Sequence, residues 1–130
     1  MNDIIADALT RIRNANMRGL DSTILLYAKI VEAIVKVLVE KKYLESYHVT
    51  EEKGKKNIQV NLRYEEDGSK VINEIKRISK SGRRVYRPAR EIKKFKNGYG
   101  TTIITTPKGV LSNEQAHKQN VGGEVLCSIW

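Results

Sequence analysis

Residues 101–109 read Thr101-Thr102-Ile103-Ile104-Thr105-Thr106-Pro107-Lys108-Gly109. Six consecutive β-branched residues restrict side-chain rotation and pack well on a pleated surface, so 101–106 is expected as a strand. Pro107 ends it, because proline has no N–H to give to a ladder. Two hydroxyls, a lysine and a glycine then stand at the end of the strand. Hydroxyls and backbone N–H groups can bond phosphate and ribose oxygens, and glycine permits close backbone approach. The same residue types also make ordinary turns, so this stretch does not choose between the two readings by itself.

Downstream, Ser112-Asn113-Glu114-Gln115 fits a capping box that opens a short helix. Gly122-Gly123 should turn the chain into a last strand, Val125 to Trp130. Upstream, Gly98-Tyr99-Gly100 is not a dinucleotide fingerprint, and Lys108-Gly109 has the reverse order of a phosphate-binding P-loop. Ile92 and Phe95 could anchor one helical turn before Gly98, and 83–87 reads as extended. Ile72, Ile75 and Ile78 have the spacing of a helix, whereas the β-branched content of 71–79 suits a strand.

The charge is uneven. The chain of 130 residues has 24 Lys and Arg against 15 Asp and Glu, a net charge of +9. Residues 76–96 hold ten Lys and Arg and one acid, Glu91, so they carry the whole excess. Such a stretch, interleaved with Tyr86 and Phe95, points to a polyanion: cations neutralise phosphates, and a tyrosine among arginines can stack on an unpaired base. A solubilising surface is the plainer reading, but dispersed charge would serve that purpose equally well.

The N-terminal half reads as an α/β unit. Ile4, Ile5, Ala8, Leu9, Ile12 and Ala15 recur with a 3.6-residue period over 3–18, with Asp3 as N-cap and Gly19 as the stop. Asp7 and Arg11 form an i, i+4 pair, so Arg11 and Arg13 read simply as a solvated helix face. Residues 28–42 are apolar on most of their circumference and must be buried on most of it. Segments 44–50 and 57–64 form a hairpin around a turn at 51–56, with Ile58, Val60, Leu62 and Tyr64 alternating at the strand period. The short acidic run Glu65-Glu66-Asp67-Gly68-Ser69 is the best internal boundary, giving subdomains 1–65 and 70–130. The fold class expected is α+β.

Several function classes are excluded. At 40% hydrophobic residues the chain can build a core, and no apolar run reaches the roughly 18–20 residues of a membrane span. Met1-Asn2-Asp3 is unlike a signal peptide; with a single cysteine, it predicts a reducing cytoplasm and no disulfide framework. Two histidines and one cysteine lack zinc-ligand spacing, and His48 and His117 have no neighbours that suggest a triad. Cys127 reads as a small buried hydrophobe. No cofactor, no metal and no enzymatic activity are expected.

Three motifs in order resemble one family. Gly98 to Leu111, continuing through Ala116 to Gly122-Gly123-Glu124 and Cys127, resembles the signature of bacterial small-subunit ribosomal protein number eight. Asp7-Ala8-Leu9-Thr10-Arg11-Ile12-Arg13-Asn14-Ala15 is similar to that family's first helix, and Arg84-Val85-Tyr86-Arg87 to its middle motif. The resemblance implies an N-terminal α/β subdomain and a mostly β C-terminal subdomain that is the main rRNA-binding part, with 71–79 as a strand. It implies direct binding to the central domain of 16S rRNA, early assembly of the small-subunit platform, and proximity to small-subunit proteins five and twelve.

Position by position, the resemblance implies RNA contacts from Thr105, Thr106, Pro107, Lys108, Gly109 and Glu124. Arg84, Tyr86 and Arg87 would line the same surface, and Arg11, Arg13 and Lys29 would reach phosphates. The family usually has Ser-Thr-Ser-Lys-Gly at 105–109, so Pro107 removes a hydroxyl and an N–H. It usually has Ser-Ser-Lys where this chain has Tyr27-Ala28-Lys29, so only the lysine survives. For Glu124, selective hydrogen bonding to a base or ribose stands beside a simpler role in ordering the glycine turn. The rival functions are a free translational regulator that binds an mRNA imitating the rRNA site, which some family members also do on their own operon, and a small RNA-modifying enzyme.

Overall fold

The computed structural model describes residues 3–93 and 99–130. The chain divides into two units, one ending at Asn73 and one running from Glu74 to Trp130. The first holds helices α1 (Ile4–Met17) and α2 (Lys29–Glu40) and strands β1 (Ser22–Leu26), β2 (Leu44–Glu52) and β3 (Lys55–Leu62). The second holds strands β4 (Ile75–Arg77), β5 (Tyr86–Arg87), β6 (Thr101–Thr106), β7 (Gly109–Ser112) and β8 (Gly123–Ile129), with helix α3 (Asn113–Gln119) and one 3-10 turn at Ala89–Glu91. This is the α+β class.

In the first unit, Asp3 caps α1 by accepting from the amides of Ile5 and Ala6, both at 3.1 Å. The apolar stripe Ala8, Leu9, Ile12 and Ala15 is buried. Gly19 ends the helix at φ +67°, with its N–H on the Asn16 carbonyl and the Leu20 N–H on that of Ala15. That is the paired closure in which glycine avoids a Cβ clash. α2 buries Val31, Ile34, Val35, Val37 and Leu38. The antiparallel sheet has the order β1-β3-β2; α1 packs on β1 and α2 on β2. Leu25, Ile58, Val60 and Leu44 supply buried side chains of the sheet.

Several expectations need correction here. The hairpin turn is not six residues long. Glu51 pairs with Lys56 and Glu52 with Lys55, which leaves only Lys53-Gly54 in the turn, both at positive φ, as the commonest two-residue hairpin turn has them. β3 stops at Leu62, and Tyr64 instead makes an isolated bridge to Lys70 across the acidic turn. β1 and β7 have no counterpart among the expected elements; each is a short strand without clear alternation. The chain beyond the acidic turn stays with the first unit, because buried Asn16 donates to the Ile72 carbonyl at 2.9 Å.

In the second unit the path is β4-β8-β6-β7, with β5 also paired to β8. The strand expected over 71–79 is confined to Ile75–Arg77. A 3-10 turn stands at Ala89–Glu91; the helical turn expected from Ile92 and Phe95 to Gly98 lies mostly outside the described residues. Ser112 and Gln115 form the expected capping box. Ile92, Ile104, Ala116 and Val125 form one core cluster, joined by Ile78, Val85, Leu111 and Val121.

β8 runs through the middle of this sheet and carries two irregularities. Ile103 pairs with Cys127 but Ile104 pairs with Val125, so Leu126 is an inserted residue. Its carbonyl takes the Ile78 N–H at 3.0 Å and Arg77 Nη1 at 2.8 Å. The insertion moves Val125 to the face of Ile104 and Glu124 to the face of Thr105. At the start of β8, an added Cβ on Gly123 would overlap the Thr105 carbonyl oxygen, and one on Gly122 would overlap that of Arg87. Only glycine lets the neighbouring backbones approach so closely.

Two measurements check these points. Gly123→Ala should lower stability by at least about 2 kcal/mol, since backbone must move, whereas Gly19→Ala meets no atom within 4 Å and should cost about 1 kcal/mol from its positive φ alone. Equal costs in denaturant unfolding would refute the close-approach account. Cys127 is fully buried, and burial pushes its thiol up to about 12. Because the folded value is raised, its stabilising contribution is complete below the unfolded value of about 9 and declines as pH rises from there toward 12. Native chain should therefore resist a thiol reagent at pH 8 and react only on unfolding.

Candidate nucleic-acid interface

Three adjacent strands bring separate motifs into one row. Tyr86 on β5 pairs with Glu124 on β8, and Glu124 pairs with Thr105 on β6. Directly paired residues project from the same face, so ring, carboxylate and hydroxyl stand side by side. Val110 on β7 continues the row beyond Thr105. Tyr86 is 63% exposed. The Thr105 hydroxyl bonds no other side chain among the described residues. A flat exposed ring beside an acceptor and a hydroxyl can stack on a base and bond its edge.

Glu124 is anchored at one oxygen. Its Oε2 accepts from the hydroxyl of Ser79, which is fully buried, and from Arg84 Nη1 at 3.1 Å. Oε1 has no hydrogen bond among the described residues. The carboxylate is therefore fixed on one side and open as an acceptor on the other. Its partners lie in the segment before β5, so it does not order the Gly122-Gly123 turn. The Arg84 contact is half exposed and adds little stability; the bond from buried Ser79 contributes more.

The 105–109 segment is a tight hairpin end. Thr106 pairs with Gly109, leaving Pro107-Lys108 as the turn. The Thr106 hydroxyl donates to the Gly109 carbonyl at 2.8 Å and accepts from the Lys108 N–H at 3.1 Å. That hydroxyl is committed to the turn, whereas the exposed Lys108 side chain is available. Pro107 holds the first central position, where a φ fixed near about −65° suits the turn and no N–H is required. Gly109 sits at φ +112°, which favours glycine. Replacing serine by proline thus keeps the turn, and removes a hydroxyl and a backbone N–H that the turn does not use.

Arg87 does not line the same surface as Tyr86. Successive strand residues face opposite sides, and Arg87 lines a cleft of about 200 Å³ with Glu91, Ile92, Lys93, Ile104 and Val125 on the other face. Lys94 and Lys96 of the basic stretch lie outside the described residues.

Arg11, Arg13 and Lys29 belong to the first unit. Arg11 bonds Asp7 Oδ2 at 3.0 Å through Nε and the Ile24 carbonyl at 3.2 Å through Nη1, covering part of the free edge of β1. Arg13 is half-buried on α1. Lys29 is exposed at the first turn of α2, where Ala28 gives no side-chain cap. Nearby, Tyr27 donates to Glu32 Oε1 at 3.0 Å, a bond that holds the phenol above its ordinary value. Sequence reasoning missed Ser79; its only signal was a small polar residue inside the basic stretch.

The turn account predicts two stabilities. Pro107→Ser should lose about 0.4–1 kcal/mol by freeing the unfolded chain, and Thr106→Val about 1 kcal/mol through its two lost bonds. Denaturant midpoints unchanged for both variants would contradict this reading of the hairpin.

Comparison with known proteins identifies the family. The family model for ribosomal protein S8 matches residues 3–130. A small ribosomal subunit protein uS8 from Campylobacter fetus is 62% identical over 130 residues, covering all of this chain and 99% of the relative. The protein of the same name from a Nitratiruptor species is 65% identical over 133 residues, and that from Wolinella succinogenes 62% over 130, with the same coverage. The chain belongs to the ribosomal protein S8 family, and is a structural, non-enzymatic constituent of the small ribosomal subunit.

Proposed function

We propose that this chain binds the central domain of 16S rRNA directly and early, helps fold the platform of the small subunit in the cytoplasm, and lies near small-subunit proteins five and twelve. The second unit, from Glu74 to Trp130, supplies the main RNA surface. The observation that carries this reading is the Tyr86, Glu124 and Thr105 row, with the Pro107-Lys108 turn closing the β6–β7 hairpin that holds Thr105. These groups offer stacking, an acceptor and a hydroxyl with little net charge, and such contacts discriminate between RNAs. Cations around them supply affinity that does not depend on sequence. Arg11, Arg13 and Lys29 add phosphate contacts from the first unit; Arg11 can do so only with the donors left over from Asp7 and Ile24.

Binding to an isolated 16S central-domain fragment, compared with scrambled RNA of equal length, tests this. The fragment should bind at least about a thousandfold more tightly at about 150 mM salt, the lower end of the range of specific over non-specific recognition. Equal affinities would sink the proposal. Lys108→Ala should weaken binding and flatten the salt dependence by about one unit, as for one lost phosphate contact. An unchanged slope would remove Lys108 from the phosphate-contacting set.

A further inference from the structure

Between Ser79 and Val85 the basic stretch makes a small closed hairpin. Lys80 and Arg83 exchange both backbone bonds, Lys80 N to Arg83 O at 3.0 Å and Arg83 N to Lys80 O at 2.9 Å, leaving Ser81-Gly82 as the tip. Ser79 closes the base. Its N–H bonds the Val125 carbonyl at 3.1 Å, its hydroxyl accepts from the Val85 N–H at 3.2 Å, and the same hydroxyl donates to Glu124. The Val85 carbonyl in turn accepts from the Val125 N–H at 2.9 Å. One fully buried hydroxyl therefore joins the hairpin, the central strand β8 and the carboxylate of the row.

Three cations, Lys80, Arg83 and Arg84, are carried on this element. Arg84 is engaged with Glu124. The side chains of Lys80 and Arg83 are exposed and make no bond among the described residues. A disordered basic tail would pay an ordering cost on meeting a polyanion. Here the backbone bonds have already set where the two charges stand, directly beyond the residue that holds Glu124.

We propose that the Lys80–Arg83 hairpin is a distinct phosphate-contacting element, with Ser79 as its positioning residue. Ser79 is too buried to touch RNA and acts through what it holds. Of the other exposed cations of the same stretch, Lys93 lines the cleft on the opposite face and Arg90 stands in the 3-10 turn before it; both contribute only diffuse charge. The inference rests on the RNA-binding reading but divides the basic stretch into localised and diffuse parts.

The test compares salt dependences of binding to the 16S central-domain fragment for full-length chains. Lys80→Gln/Arg83→Gln should flatten the log–log slope by about 1.5–2 units, whereas Arg90→Gln/Lys93→Gln, with the same loss of charge, should change it by less than about 0.5. Equal flattening in the two double variants would overturn the proposal, because charge alone would then account for it. Ser79→Ala keeps the net charge, so a merely structural role leaves the slope of the folded fraction unchanged. The expected result is flattening by about one unit and roughly fivefold weaker binding, with no further flattening when it is combined with Lys80→Gln/Arg83→Gln. An unchanged Ser79→Ala slope, with a normal melting transition, would overturn its positioning role. If Ser79→Ala fails to fold, the two surface variants still decide the hairpin's part. Failure of the specific-RNA reading shows separately, as wild-type chain that binds fragment and scrambled RNA alike.

Discussion

The arrangement of the second unit depends on how β8 is allowed to lie between its neighbours. Gly123 brings its backbone so close to Thr105 that a Cβ has no room. Three residues later the inserted Leu126 changes which face each side chain takes. Without the insertion, strict alternation from Cys127 would put Val125 on the wrong face for the cluster of Ile92, Ile104 and Ala116, and Glu124 away from Thr105 and Tyr86. One irregularity thus completes a core and composes a surface. Its displaced carbonyl is satisfied by Ile78 and Arg77, which ties the start of the basic stretch to the same strand.

This geometry separates two contributions that the composition merges. The +9 excess lies within 76–96, yet the groups suited to discrimination lie mostly outside it, at 105–109 and Glu124. Phosphate attraction is long-ranged and indifferent to sequence; stacking and edge bonding are short-ranged and selective. Glu124 illustrates why an acid is compatible with the proposed RNA surface. Ser79 and Arg84 hold one oxygen, and the other remains an acceptor that rejects a group with no donor.

Legibility in the sequence follows the range of the interactions. Asp3, Gly19 and the Ser112–Gln115 box act within a few residues, and each is found as its local pattern implies. The β-branched run at 101–106 is a strand because its propensity and its environment agree. β1 and β7 are hidden because they are short, at five and four residues, and owe their existence to partners elsewhere. The first hairpin's turn is shorter than its composition suggests, because Lys53 accepts a positive φ that sequence reasoning assigns to Gly54 alone. For the candidate site, the resemblance selects Tyr86, Glu124 and Thr105, but their meeting in one row is a matter of register. The separation of Arg87 from Tyr86 follows from strand alternation once the strand is known. Ser79 is invisible in the sequence, since its importance comes from two long-range partners, Glu124 and Val125.

The central claim is that selectivity resides in the Tyr86, Glu124 and Thr105 row and the adjoining turn, while the basic stretch supplies attraction. Isotope-labelled chain titrated with the 16S central-domain fragment, and then with scrambled RNA, reads this residue by residue by NMR. The account predicts that both RNAs shift signals of the exposed cations, but that only the cognate fragment shifts Tyr86, Glu124, Thr105 and Lys108, and that these shifts persist as salt is raised. Shifts confined to the basic stretch with both RNAs, and a silent row, would contradict it.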